Sequence, residues 1–257
     1  MAAVQVPNQR CRINHKECME GTAMSPVCRP RLNRAGFTQS YGAAFIPGTL
    51  MHAETSIFIA AGNPELQDRA EVFWFDNRLL LAVADGAGGI SGGAQAAELF
   101  MRIVRESGAS LTTAEACEQL LHRIDRDLVN ASDCGETTGL VVVVEPKQIF
   151  GASVGDSMVW AFSSNDRVEL TRGQQRKPFL GSGAAISRPF TSTLFDTTIV
   201  AATDGLWKYT SLETIDDQVR KIRPGLIANK LSELVRLRSG TFPDDVAIAT
   251  SHILPDH

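Results

Sequence analysis

Residues 79–93 read LLLAVADGAGGISGG: six apolar residues run into Asp85, and five glycines follow within eight positions. A strand that delivers one carboxylate into a turn nearly free of side chains leaves space for a ligand against that carboxylate. Two nucleotide-binding readings fail on residue identity. A dinucleotide loop needs GxGxxG, and the sixth position counted from Gly86 is Ser91; a P-loop needs GK[ST], which is absent.

The same arrangement recurs. IVAATDGLW (199–207) ends an apolar run at Asp204 and Gly205, and GASVGDSMVW (151–160) sets Asp156 after Gly155 in a sharp turn. FPDDVAIAT (242–250) places Asp244 and Asp245 before an apolar run, and NPELQDRAEVFWF (63–75) does so with Asp68. One aspartate at a strand end is ordinarily a turn or cap residue. Five such positions point to a shared edge. Two carboxylates about 4 Å apart repel by roughly 4 kcal/mol at an effective dielectric of 20, so a cluster takes up protons or binds cations. With oxygen donors alone, and no His or Cys in these motifs, the set selects Mg²⁺ or Mn²⁺ over zinc. Two such ions acidify a shared water from a pKa of about 15.7 towards 7. A glycine after the acid also lets its carbonyl approach an ion.

Short strands are expected to position these acids, over 57–61, 71–76, 78–84, 141–144, 149–154, 157–162, 168–170, 197–202 and 246–250, with turns at Asp76-Asn77 and Lys147-Gln148. Tight turns between short strands favour antiparallel pairing over a βαβ repeat. Helical periodicity marks 91–107, 112–130, 225–238 and, more weakly, 212–222, with Ser91 and Thr112 as expected N-caps. The helices come in pairs between blocks of strands, which predicts an α+β fold with helices packed outside antiparallel sheets.

The bulk composition is that of a globular protein: 257 residues, 44% hydrophobic, 21% charged, net charge −4. That balance excludes tracking a polyanion, and no apolar run reaches the roughly 20 residues of a membrane span. A cytoplasmic protein, with no nucleic-acid or membrane partner, is expected. Residues 1–50 differ from the rest: Arg10, Arg12, Lys16, Arg29, Arg31 and Arg34 against Glu17 and Glu20 leave this stretch at +4 and the remainder at −8. The stretch lacks helix or strand periodicity and is expected to be a poorly ordered basic arm before a domain over 51–257. Cys11, Cys18 and Cys28 with His15 match no closed zinc spacing, and Cys117 and Cys134 lack the partners of a nucleophile. Trp74, Trp160 and Trp207 read as packing residues.

VADGAGG, TTGLVVVV, SVGDSMVW, ATDGLW and PDDVAIAT occur in this order, and over about residues 55–254 the chain resembles the metal-dependent PP2C (PPM) serine/threonine phosphatases. The resemblance implies a central β-sandwich of two antiparallel sheets flanked by antiparallel helix pairs. It also implies two Mg²⁺ or Mn²⁺ ions: Asp85 bridging both, the Gly86 carbonyl on one, Asp204 and Asp244 on the second, and Asp68 near the first through water. Asp156 would belong to a third site. The reaction implied is direct attack of a metal-bridging hydroxide on phosphoserine or phosphothreonine, with Asp85, Asp204 and Asp244 acting through the ions. The partners implied are phosphoproteins, among them a serine/threonine kinase or its substrate, met by a monomer in signalling.

The chain departs from the family pattern in three places. The arginine that grips the phosphate before the first acid is missing from 60–64, and the nearest is Arg69. Ala87 and Ile90 stand where relatives carry a histidine. The loop LTRGQQRKPFLGSG lacks the usual DH pair but brings Arg172, Arg176 and Lys177. Arg69, Arg172 and Arg176 are therefore the candidates for substrate phosphate. Only 48 positions separate Asp156 from Asp204, a short flap that leaves selectivity to a partner. Two alternatives remain: a non-catalytic partner-binding protein of this fold, and a metal phosphohydrolase of small esters.

Overall fold

The apolar runs become strands of two stacked antiparallel sheets. The structure, a computed structural model, describes residues 37–41, 52–75, 77–87, 92–164, 166–193 and 196–254, all within the unit Leu32–His257. In chain order the strands are β1 (Phe37–Tyr41), β2 (His52–Ala60), β3 (Arg69–Phe75), β4 (Arg78–Ala84), β5 (Gly86–Ala87), β6 (Glu136–Thr137) and β7 (Gly139–Glu145). They continue with β8 (Gln148–Val154), β9 (Met158–Phe162), β10 (Arg167–Glu169), β11 (Arg188–Ser192), β12 (Thr198–Ala202) and β13 (Val246–Leu254). One sheet has the order β1-β2-β13-β12-β9-β10, the other β11-β8-β7-β4-β3, and β5 pairs with β6.

Side-chain alternation explains why the central strands read as unbroken apolar runs. Leu79, Leu81 and Val83 of β4, with Leu140, Val142 and Val144 of β7, face Ile199, Ala201, Ala247 and Ala249 of the other sheet. Their neighbours Leu80, Ala82, Val141 and Val143 face outward onto two helices, so both faces of these strands are buried. Those helices are α1 (Gly93–Ser107) and α2 (Ala114–Val129), which present Phe100, Val104, Leu121 and Ile124 to the sheet. On the opposite face, after the single-turn α3 (Asp204–Trp207), lie α4 (Leu212–Lys221) and α5 (Ile227–Val235). Their Ile215, Val219, Leu231 and Val235 cover Trp160, Val200 and Ile248. Among the described residues no helix is long and apolar enough to cross a membrane.

Several expectations are corrected. Phe37–Tyr41, inside the stretch read as lacking strands, pairs with β2; the rest of 1–50, with the Cys11, His15, Cys18 and Cys28 question, lies outside the described residues. The cap of α2 is Thr113, whose hydroxyl accepts from the Ala116 N–H, and not Thr112. Gly92, at φ +96°, caps α1, and Ser91 lies outside the described residues. The turn between β7 and β8 falls on Pro146-Lys147, one residue before the expected position.

Candidate active site

The strand register carries the acids to one end of the sandwich. Arg69 pairs with Ala84, so Asp68 and Asp85, the next residues out, sit side by side beyond β3 and β4. Ala202 pairs with both Met158 and Ile248, which brings the β8–β9 turn with Asp156, the start of α3 with Asp204, and the approach to β13 with Asp244 to the same edge. A cleft of roughly 500 Å³ opens there, lined by Asn63, Gln67, Asp68, Asp85, Gly86, Asp204, Asp244 and Asp245 among others.

Backbone contacts fix these positions. The Asp85 N–H donates to the Thr138 hydroxyl at 2.8 Å, and the Asp85 carbonyl accepts from the Thr138 N–H at 2.8 Å and the Thr137 hydroxyl at 3.0 Å. This is the work of the TT pair in TTGLVVVV. Gly155 holds φ +90° ahead of Asp156, with Thr138 packed where a side chain would project. Asp245, noted in the sequence without a role, is buried and gathers a loop. Its Oδ1 accepts from the Gly62 and Asn63 N–H groups at 2.9 and 3.0 Å, its Oδ2 from the Gln67 N–H at 2.7 Å.

The electrostatics follow from crowding like charges in a partly dry cleft. Burial first, then the charge of Asp85, pushes the Asp68 carboxyl well above the usual range, and one Asp68 oxygen is buried without a hydrogen-bond partner. Asp85 is raised to about 7, by burial and then by Asp204, with Asp156 and Asp244 adding to it. Burial also raises Asp204, against the pull of Lys208.

Two cations enter the cluster. Arg176 Nε lies 2.7 Å from Asp156 Oδ2 and its Nη2 3.9 Å from Asp204. Lys208, which the sequence did not single out, lies 3.6 Å from Asp204 and 3.2 Å from Asp244. Its i, i+4 spacing from Asp204 was the available signal. Arg69 is turned away: it pairs with Glu98 at 3.2 Å and donates to the carbonyls of Leu66 and Asp68. Arg172 is exposed, and Lys177 lies over the Phe179 ring. Among the described residues no three acidic, histidine or cysteine side chains already form a closed ligand set; Arg176 and Lys208 stand between the carboxylates instead. An all-oxygen donor set with raised pKa values, an unpartnered buried carboxylate oxygen and protein cations drawn into it fits a hard divalent cation.

A family model described as Protein phosphatase 2C matches residues 59–227. Compared by sequence with curated proteins, the chain finds no match. Its fold is similar to that of a bacterial serine phosphatase, with a TM-score of 0.69 and 18% identity over 80% of this chain and 100% of the other. It is also similar to the serine/threonine phosphatase Stp1 from Staphylococcus aureus, with a TM-score of 0.68 and 18% identity over 84% and 100%. The catalytic domain of the serine threonine protein phosphatase PstP, solved with two manganese ions, gives a TM-score of 0.66 and 15% identity over 79% and 99%.

Proposed function

The chain belongs to the protein phosphatase 2C family, and from that premise we propose that it hydrolyses phosphoserine and phosphothreonine in proteins with the help of Mg²⁺ or Mn²⁺. The observation that carries this reading is the gathering of Asp68, Asp85, Asp204 and Asp244 on one cleft, with Asp156 at its edge and their charges incompletely compensated.

Asp85 and the Gly86 carbonyl would hold the first ion and Asp85, Asp204 and Asp244 the second, with Asp68 near the first and Asp156 in a third position. Bound there, the ions would neutralise phosphoryl charge and acidify an attacking water. The chain's own part is to hold the acids in place and apart: Thr137 and Thr138 lock the Asp85 backbone, and Asp245 holds the 62–67 loop that walls the cleft. Arg176 is the candidate to bind the substrate phosphate, since its guanidinium already reaches the cleft and its side chain is 68% exposed and free to turn. The short flap leaves recognition of the phosphoprotein to surfaces beyond the cleft.

The test is hydrolysis of a phosphothreonine peptide in EDTA, Mg²⁺ and Mn²⁺ by wild type and Asp85→Asn. Metal-dependent turnover that falls by at least about 10²-fold in the variant is expected. No turnover by folded wild type at any metal concentration would leave the partner-binding reading. Turnover of a small aromatic phosphate alone would leave the small-ester reading.

A further inference from the structure

Asp244 has donors on both of its oxygens. Its Oδ1 accepts from the Asn63 side-chain amide at 3.1 Å and the Asp245 backbone N–H at 3.1 Å. Its Oδ2 accepts from the Lys208 ammonium at 3.2 Å and the Tyr209 hydroxyl at 3.4 Å. The same ammonium lies 3.6 Å from Asp204 Oδ2. One protein cation thus stands between two carboxylates, Asp204 and Asp244, that approach from different strands. The single turn of α3 sets this up: Asp204 opens it and Lys208 is its C-cap, four residues on. The Lys208 side chain is 45% exposed, so the ammonium can swing into water without unpacking the core.

We propose that Lys208 is a tethered counter-ion: in the metal-free chain its single charge partly offsets the Asp204–Asp244 pair, a divalent cation must exchange with it to take those carboxylates, and the concentration of cation the site needs is set by this exchange. The role rests on Asp204 and Asp244 being cation ligands. Removing the ammonium acts with the same sign on both sides of the exchange. Among the described residues, the metal-free chain is left with Asp244 facing no cation and Asp204 facing only the Arg176 guanidinium at 3.9 Å, and an incoming cation loses a positive charge that repels it. Both effects raise affinity. Tyr209 adds a second, uncharged donor to the same Asp244 oxygen and would have to yield with Lys208.

Calorimetric titration of Mn²⁺ into the chelator-stripped full chain, together with thermal melts in EDTA, tests this without recourse to turnover. Lys208→Met is expected to bind Mn²⁺ about tenfold tighter than wild type and to melt lower in EDTA, while Lys208→Arg, which keeps the charge, stays near wild type in both. Lys208→Gln is a second neutral variant, so that a folding defect peculiar to one substitution is recognised as such. Unchanged or weaker Mn²⁺ binding in both neutral variants overturns the role of Lys208 and leaves the cation site standing. Absence of Mn²⁺ binding in wild type overturns it together with the cation reading.

Discussion

At Asp85 the fold places a carboxyl where burial and three other acids oppose its charge, and raises its pKa to about 7. An unfolded aspartate titrates near 4. Between those values the folded chain binds the extra proton, so the stability this group contributes is full below about pH 4 and is lost as pH rises through about 7. In EDTA the wild-type melting temperature should therefore decline from pH 5 to pH 8, and Asp85→Asn, which carries no charge there, should flatten that decline. An unchanged slope in the variant would show that Asp85 is already ionised at pH 5. The acids themselves were legible because an aspartate between an apolar run and a glycine is a local pattern. Lys208 and Asp245 were not. A lysine four residues after Asp204, where no helix was expected, reads as a solvated surface residue, and its second partner, Asp244, is 36 positions away. Asp245 reads as half of a turn doublet until the N–H groups of Gly62, Asn63 and Gln67 are seen to converge on it from over 170 positions upstream.

Elements were legible in proportion to how two-sidedly they are buried. β4, β7 and β12 are apolar but for one end residue each (Arg78, Glu145 and Thr198) and were expected within two residues of where they lie. β11 was missed because it is an edge strand, mostly exposed and carrying Pro189, so neither alternation nor an apolar run marks it. α3 was missed because four residues have no period to detect. The join between elements that matters most for the site is the one from the approach to β13 to the 62–67 loop through Asp245. Asp245→Asn keeps the size of the side chain but replaces one acceptor oxygen by an NH₂ group, so at least one backbone N–H, of Gly62, Asn63 or Gln67, then faces a donor. Only the side chain at 245 is buried, while Gly62 and Asn63 are exposed, so the lost acceptor costs about 1 kcal/mol, the low end for an unsatisfied group. The midpoint of urea unfolding should fall accordingly with the slope unchanged; a midpoint equal to wild type would mean that the loop is held by other contacts.

Across the whole molecule, neither sheet owns the site. Asp68 and Asp85 extend β3 and β4 of one sheet, Asp204 and Asp244 flank β12 and β13 of the other, and Asp156 lies in the β8–β9 turn that crosses between them. A cation held by these residues would therefore join the two sheets at one end of the sandwich, where their mutual repulsion otherwise acts to part them. The unfolded chain offers no comparable site, because the ligands are spread from position 68 to position 244. Binding to the folded state alone stabilises by mass action, about 2.7 kcal/mol at a hundredfold excess over Kd. For a chain of this size that corresponds to a rise in melting temperature of about 5–10 °C. Because both sheets share the ligands, the melt should shift as one transition rather than split into a stabilised and an unaffected part. Titrating Mn²⁺ or Mg²⁺ into the EDTA-stripped chain and following the melt checks this, with Asp204→Asn as the comparison that should shift far less. A two-step melt, in which only one step moves with cation, would show that the ligands of one sheet hold the ion without the other.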